Sequence, residues 1–380
     1  MHGWNIIQGS DLMYYLKLYD RNKVLKDNCE IYLFSDLTYT KTLNGTGSLS
    51  FNTPIKYIRE NEINFLPGDC IELYLLKDNS EECIWWGVVV NPSNSGLNQM
   101  SIICEGYFSC LKNRMQKHLF DFAISSNNMN YLEETYTNVG HGELILSLLG
   151  TQNYYDNTGV TQGINKDYSG IKTTRVIKWD DKLDEKISEF VEDGYLYFNI
   201  DQNRKMNIYS EYGEDKSEFY IVHDGNLIDC SQAIIDYSQI INQVYVLNQF
   251  TEELEDGTSV DRSVYYIAED KESIKLFGLR QEVLSVNDIR LVETAKQKAE
   301  QELKKMSSPV VNIELEANIT DELDIFHIEP GDYIGIDSEL LNLKGKYRVM
   351  EYTVDISNNT VKINLGNCIF RKNNIISYRY

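Results

Sequence analysis

The chain is poor in the residues that most often carry chemistry. It holds five histidines in 380 residues: His2, His118, His141, His223 and His327. None falls in an HExxH, an HxH or a Cys/His metal spacing. Its cysteines are Cys29, Cys70, Cys83, Cys104, Cys110, Cys230 and Cys368. The count is odd and no CxxC pair occurs, which argues against a disulfide framework or a zinc site and fits folding in a reducing cytoplasm. GxSxG, a strand-following GxGxxG and the Walker A loop are missing, and "NGTGS" at 44–48 runs straight into a strand. No run approaches 18 apolar residues, so no membrane-spanning segment is expected. The N-terminus lacks a basic stretch followed by an apolar one, so no signal peptide is expected either. Positive charge is also scarce, at 36 Lys and Arg against 58 Asp and Glu. A net charge of −22 repels nucleic-acid phosphates at long range. Close acidic pairs are expected from number alone, and no calcium loop with spaced ligands is found. The expectation is therefore no catalytic residue, no cofactor and no metal.

What is present points to strands. Apolar residues make up 42% of the chain, and there are 27 tyrosines and four tryptophans. The length suits two or three domains. Residues 1–115 read as short β runs broken by Gly, Asn, Asp and Pro clusters, which predicts a first small β-barrel. Residues 116–225 predict an α+β helix–hairpin domain. A short helix there ends at Gly150, and a polar loop follows. An amphipathic helix then carries Leu183, Ile187, Phe190 and Val191 on one face, capped by Asp180 and Asp181. "YLYFNI" and "KMNIYS" form its hairpin. Residues 226–250 and 307–380 predict a second β-barrel, with Val311, Ile313, Leu315 and Ala317 on one strand face. Residues 251–306 predict a helical insertion whose stripe is Val292, Ala295, Ala299, Leu303 and Met306. The fold class is thus mainly β with α+β insertions: two similar small barrels, a helix–hairpin domain and a second, helical insertion.

Two of only five prolines lie in the same tripeptide, Pro67-Gly68-Asp69 and Pro330-Gly331-Asp332. Pro fixes φ, Gly admits φ > 0, and Asp can bond the backbone nearby. Each tripeptide is followed by strand, turn, strand, turn, strand. A duplicated β unit explains that shared order better than a catalytic loop used twice.

The order "GTGSLSFNTP", "FLPGDCIELYLL", "IWWGVVV", "MSIICEGYFSCLKNRM" resembles the first barrel of bacteriophage tail baseplate hub proteins, with Leu111 and Arg114 at the helix entry. "SQIINQVYVLN", with Asn242, Val244 and Val246, resembles the family's "NxVxV" strand. "SIKLFG", with Ser273, Ile274, Gly278 and Phe277 in place of Tyr, is similar to its "SIxxYG" segment. The resemblance covers nearly the whole chain. It implies a homotrimer whose six barrels match the sixfold tail tube or distal tail protein to a threefold spike, fibre or lysin protein. It also implies location in the virion tail after assembly in the bacterial cytoplasm. Genome DNA would pass through without specific binding, eased by an acidic lumen. Many relatives continue into a peptidase, lysozyme or fibre-like extension. This chain ends about ten residues past its second β unit, so wall-cutting activity is expected in another protein or not at all.

The candidate interface residues are Trp85, Trp86 and Tyr107 in the first unit, and Tyr333, Tyr347 and Tyr352 in the second. Of the adjacent tryptophans one is expected inside; the other faces a partner or a domain seam. Two other readings compete with a structural hub: a cell-wall hydrolase or endopeptidase using carboxylates, and a carbohydrate- or receptor-binding module using exposed aromatics.

Overall fold

A computed structural model describes residues 12–77, 80–253, 258–286 and 289–366. His2, Cys368, the helix start expected at Asp288 and the terminal "NNIISYRY" lie outside them. The chain is mainly β. The first β unit contains β1 (Leu12–Tyr19), β2 (Leu25–Ile31), β3 (Ser35–Thr42), β4 (Ser48–Pro54), α1 (Ile55–Glu60), β5 (Cys70–Lys77), β6 (Ser80–Asn94) and β7 (Gln99–Glu105). The middle segment follows with α2 (Lys117–Ser126), β8 (Glu133–Gly140), α3 (His141–Tyr155), β9 (Thr161–Lys166), β10 (Lys172–Lys178), α4 (Leu183–Gly194), β11 (Tyr197–Ile200) and β12 (Lys205–Tyr209). Next come β13 (Ile221–His223) and β14 (Leu227–Asp236), then β15 (Gln243–Glu253), β16 (Ser259–Glu269), α5 (Lys271–Phe277), β17 (Gln281–Ser285) and α6 (Val292–Met306). The chain closes with β18 (Val310–Asn318), β19 (Tyr333–Ser338), β20 (Leu343–Asp355) and β21 (Thr360–Gly366).

The two β units do not close as separate barrels. Their strands join into one open sheet of 13 strands, in the order β14-β18-β21-β20-β3-β4-β7-β6-β5-β1-β2, with β19 and β13 branching from β20. The junction is β20 paired with β3. One apolar core runs through both units, from Leu16 and Ile71 to Ile313 and Val354. Turn positions and alternation in the sequence reveal strands, but which strand pairs across the seam is a long-range matter that local pattern does not encode.

The middle segment buries its own core. Leu183, Ile187, Phe190 and Val191 of α4 are all buried as the periodicity predicts, each worth roughly 1.5–3 kcal/mol of burial. Its first turn is not capped by a side chain; the N-cap is Lys182, and Asp181 instead accepts the Lys178 N–H (2.7 Å). α3 runs through Gly150 to Tyr155 rather than ending there. A Cβ at Gly150 would sit 2.5 Å from Gln162 Nε2, so this glycine permits close packing instead of terminating the helix. β9, expected as loop, runs parallel to β12 beside the expected hairpin β11–β12.

The inserted segment holds its long helix, α6, and adds a three-stranded sheet. β15 pairs with β16 and β17, not with the second β unit. Ala295 and Ala299 of α6 are buried on this sheet, whereas Val292 is exposed. Asn242 ties the insertion together: its Nδ2 donates to Gly278 O and its Oδ1 accepts from the Arg280 N–H, both at 2.7 Å.

Candidate functional site

The two Pro-Gly-Asp turns carry the same backbone bonds. Gly68 has φ +89° and Gly331 φ +112°, values open to glycine and strained for other residues. The Gly68 N–H donates to Val89 O (2.8 Å) and the Val89 N–H to Asp69 O (2.8 Å). In the second unit the Gly331 N–H donates to Val349 O (2.7 Å) and the Val349 N–H to Asp332 O (2.8 Å). The Asp69 and Asp332 N–H groups donate to Leu66 O and Glu329 O, both at 3.0 Å. Each carboxylate turns back to accept the Leu66 N–H (2.8 Å) or the Glu329 N–H (2.9 Å). Both carboxylates are buried and each meets a lysine, Lys26 for Asp69 and Lys216 (2.9 Å) for Asp332.

The likeness extends outward strand by strand. β6 pairs with β5 and β7, and β20 pairs with β19 and β21. Each central strand bulges at the same step, between Val89 and Asn91 and between Val349 and Glu351. Beyond these lie β4 then β3 in one unit, β18 then β14 in the other. The insertion occupies the position of the short β3–β4 turn. The tripeptides therefore mark one small β architecture built twice.

Between the units β20 and β3 form a well-tied junction. The Leu43 N–H donates to Met350 O (2.9 Å) and the Ile356 N–H to Leu37 O (3.1 Å). The hydroxyls of Thr40 and Thr353 lie 2.8 Å apart, the Thr42 hydroxyl donates to Glu351 Oε2 (2.7 Å), and Lys41 pairs with Glu329 (2.6 Å).

The six aromatic candidates do not converge on one surface. Trp85, Tyr107 and Tyr352 are buried and leave no side-chain face for a partner. Strand alternation puts the Trp85 ring inward, where its Nε1 donates to Thr40 O (3.2 Å), while the Tyr352 hydroxyl donates to Ile328 O (3.0 Å). Trp86 is half-buried at a seam: its Nε1 donates to Ile200 O of β11 (2.8 Å), and Lys41 lies 5.3 Å from its ring. Tyr347 packs half-buried against the shared core. Tyr333 is half-buried beside Arg348, 5.8 Å from its ring centre, in a cleft of about 860 Å³ between the hairpin, α6 and the second unit.

Sequence reading missed the groups that fasten the middle segment across both units. Buried Arg348 donates to Gly331 O (2.9 Å), the Tyr197 hydroxyl (2.7 Å) and Tyr212 O (2.6 Å). On the first unit Glu72 of β5 accepts from the Tyr74 hydroxyl (2.5 Å) and Gln202 Nε2 (3.1 Å) and pairs with Lys23 (2.9 Å). Burial alone would raise this carboxyl; the bonds from Tyr74 and Lys23 outweigh it and hold it below the usual range. A carboxylate inside the apolar run of β5 was the available sign of Glu72; Arg348, in a strand that also carries Lys344, Lys346 and Glu351, had none. Behind the seam, burial and the nearby Arg175 charge push His141 down to about 4. Among the described residues, no three His, Cys, Asp or Glu side chains are placed to hold a metal ion, and no helix is long and apolar enough to cross a membrane.

Residues 215–374 match the family described as Prophage endopeptidase tail. Comparison with curated proteins gives no match. In fold the chain is similar to the 43 kDa tail protein of prophage MuSo2 from Shewanella oneidensis, at 11% identity and TM-score 0.58, covering 93% of this chain and 98% of that one. It is similar to prophage tail protein gp18 from Listeria monocytogenes EGD-e, at 15% identity and TM-score 0.56, over 93% and 94%. A tail protein from Neisseria meningitidis MC58 is alike at 9% identity and TM-score 0.57, over 93% and 96%. The family match thus spans the second β unit and its insertion, and along nearly its whole length the chain shares the fold of these prophage tail proteins.

Proposed function

We propose that this chain is a non-enzymatic hub of the tail tip, three copies of which form a ring of pseudo-sixfold outline. The ring would join a sixfold tail tube or distal tail protein to a threefold spike, fibre or lysin protein. Genome DNA would pass through its lumen without specific binding, favoured by the net charge of −22. The observation that carries this reading is the duplicated β unit, matched down to the bonds of its turns and the position of its bulge. A chain with two equivalent units offers six copies of one architecture in a cyclic trimer, whose head-to-tail contacts close on themselves. Native mass measurement and negative-stain imaging of the full chain test it. Particles of three times 44.1 kDa with six lobes are expected; a chain that stays monomeric at every concentration and in particles sinks it.

The matched family's description names an endopeptidase, which favours wall cleavage as the second reading. A zymogram on purified peptidoglycan separates the two, with no clearing expected from this chain.

A further inference from the structure

Among the described residues, the β20–β3 junction inside the chain has two counterparts that no strand fills. By the shared bulge, Val89 matches Val349, so Asn91–Asn94 of β6 match Glu351–Val354 of β20. By the ladders β4–β7 and β18–β21, then β3–β4 and β14–β18, Ala233 and Ile234 of β14 match Tyr39 and Thr40 of β3. Within the chain, the β20 segment pairs with the β3 segment. The matching segments are both exposed: among the described residues, 91–94 has only β7 beside it, and β14 has only β18. β14 is an edge of ten residues carrying exposed Ile228 and Ile234, and Leu97 at the tip of the β6–β7 hairpin is 96% exposed. Open edges of this length and apolarity are templates for another chain.

We infer that the β6 edge of one copy pairs antiparallel with the β14 edge of the next, repeating the internal junction between chains. This rests on the ring reading above. Six like junctions would then go round the ring, three within chains and three between. Ser93 takes the place of Thr353 opposite Ile234, and Asn94 that of Val354 opposite Ala233. The bonds of Leu43 to Met350 and of Ile356 to Leu37 fix the alternation of the internal ladder. Tyr352 and Val354 therefore aim their N–H groups at β3, and Glu351 and Thr353 sit in the close, non-bonded pairs. Pro92 takes the place of Tyr352 and has no N–H. The junction between chains thus has one bond fewer than the internal one, and the proline limits stray pairing of the free β6 edge.

The test is Ser93→Cys combined with Ile234→Cys in the full chain, oxidised and run on a non-reducing gel. The close pair lies within disulfide reach. A covalent trimer that forms no larger species is expected. Each single variant should match the parent, which has its own seven cysteines. Ser93→Cys with Ile228→Cys, about 20 Å away along the strand, should also match the parent. Asn94→Pro removes an N–H that meets only the neighbouring copy. It should raise the dissociation constant of the trimer about tenfold per junction while leaving the melting of the single chain unchanged. Six-lobed rings without a 93–234 cross-link overturn the strand pairing and leave the hub standing. A chain that never trimerises overturns both.

Discussion

The first and second β units share a skeleton and almost nothing else. Cys70 lies where the second unit has Tyr333, Glu72 where it has Gly335, Trp86 where it has Lys346, and Val88 where it has Arg348. The strand next to the entry strand differs too: β1 runs antiparallel to β5 over eight residues, whereas β13 meets β19 in parallel over three. The invariant part is the turn that fixes strand entry and the bulge that bends the central strand. Side chains on that skeleton are free to differ because each unit docks the middle segment by other means, a carboxylate on one side and a guanidinium on the other.

That comparison breaks most severely at the turn carboxylates. Asp332 accepts the Glu329 and Glu214 N–H groups and pairs with Lys216; Asp69 accepts the Leu66 N–H and pairs with Lys26. Removing one partner of a buried ion pair costs about 3–5 kcal/mol. Asp332→Ala is expected at the upper end and Asp69→Ala at the lower, read by urea denaturation. Equal losses would mean that the Glu214 bond contributes nothing.

The glycines come next. Gly331→Ala places a Cβ 2.8 Å from Tyr212 Cδ1, held in a packed ring, while at Gly68 the nearest atom is the end of the Arg21 side chain at 3.0 Å. Both also carry the strain of a positive φ, about 1–2 kcal/mol. The Gly331 variant should lower the melting temperature more than the Gly68 variant. The reverse order would show that Arg21 is the less yielding neighbour.

These differences explain how far the sequence could be read. Strand alternation in β18, the periodicity of α4 and the repeated tripeptide are local signals, and each marks its element. Gly150 misleads because a glycine that ends a helix and one that lets a side chain cross it look alike in sequence. The tryptophan pair is legible in part: alternation says that one ring faces inward and the other outward, but Trp85 and Trp86 are chemically the same, and only the pairing of β5 with β6 decides which faces the core. Glu72 and Arg348 were illegible because their partners lie far along the chain, at Gln202 and at Tyr197 and Tyr212.

Acid should separate the two docking seams. The Glu72 carboxyl titrates below its unfolded value near 4.3. Its contribution is therefore present above that value and is lost as pH falls through the lower folded value. His141 adds an earlier effect. Held at about 4 against an unfolded value near 6.5, it makes the unfolded state bind more protons across that interval. The middle segment should then lose up to about 1.4 kcal/mol per pH unit between those values. The Arg348 seam, by contrast, rests on carbonyl and hydroxyl partners, with no carboxylate or imidazole among them. Hydrogen exchange should thus show the middle segment around His141 loosening between pH 7 and 4 and, below pH 4, β5 and the 200–205 turn loosening before the turn at Gly331. Simultaneous opening would mean the seams act as one unit.

The smallest effect tests what the internal junction gains from its side chains. Thr40 and Thr353 share one hydroxyl bond, and in the proposed junction between chains the same places hold Ile234 and Ser93, which cannot form it. A neutral hydrogen bond of this kind contributes about 0.5–1.5 kcal/mol. Thr353→Val should cost that much, Thr40→Val a similar amount, and the double variant less than their sum, because the second change no longer strands a hydroxyl. A coupling near zero would mean that this hydroxyl pair adds nothing, leaving the backbone ladder, the Thr42–Glu351 bond and the Lys41–Glu329 pair to hold the junction. The internal and external junctions would then be equivalent at this position, and a ring built from both would be nearer to true sixfold symmetry than these two side chains suggest.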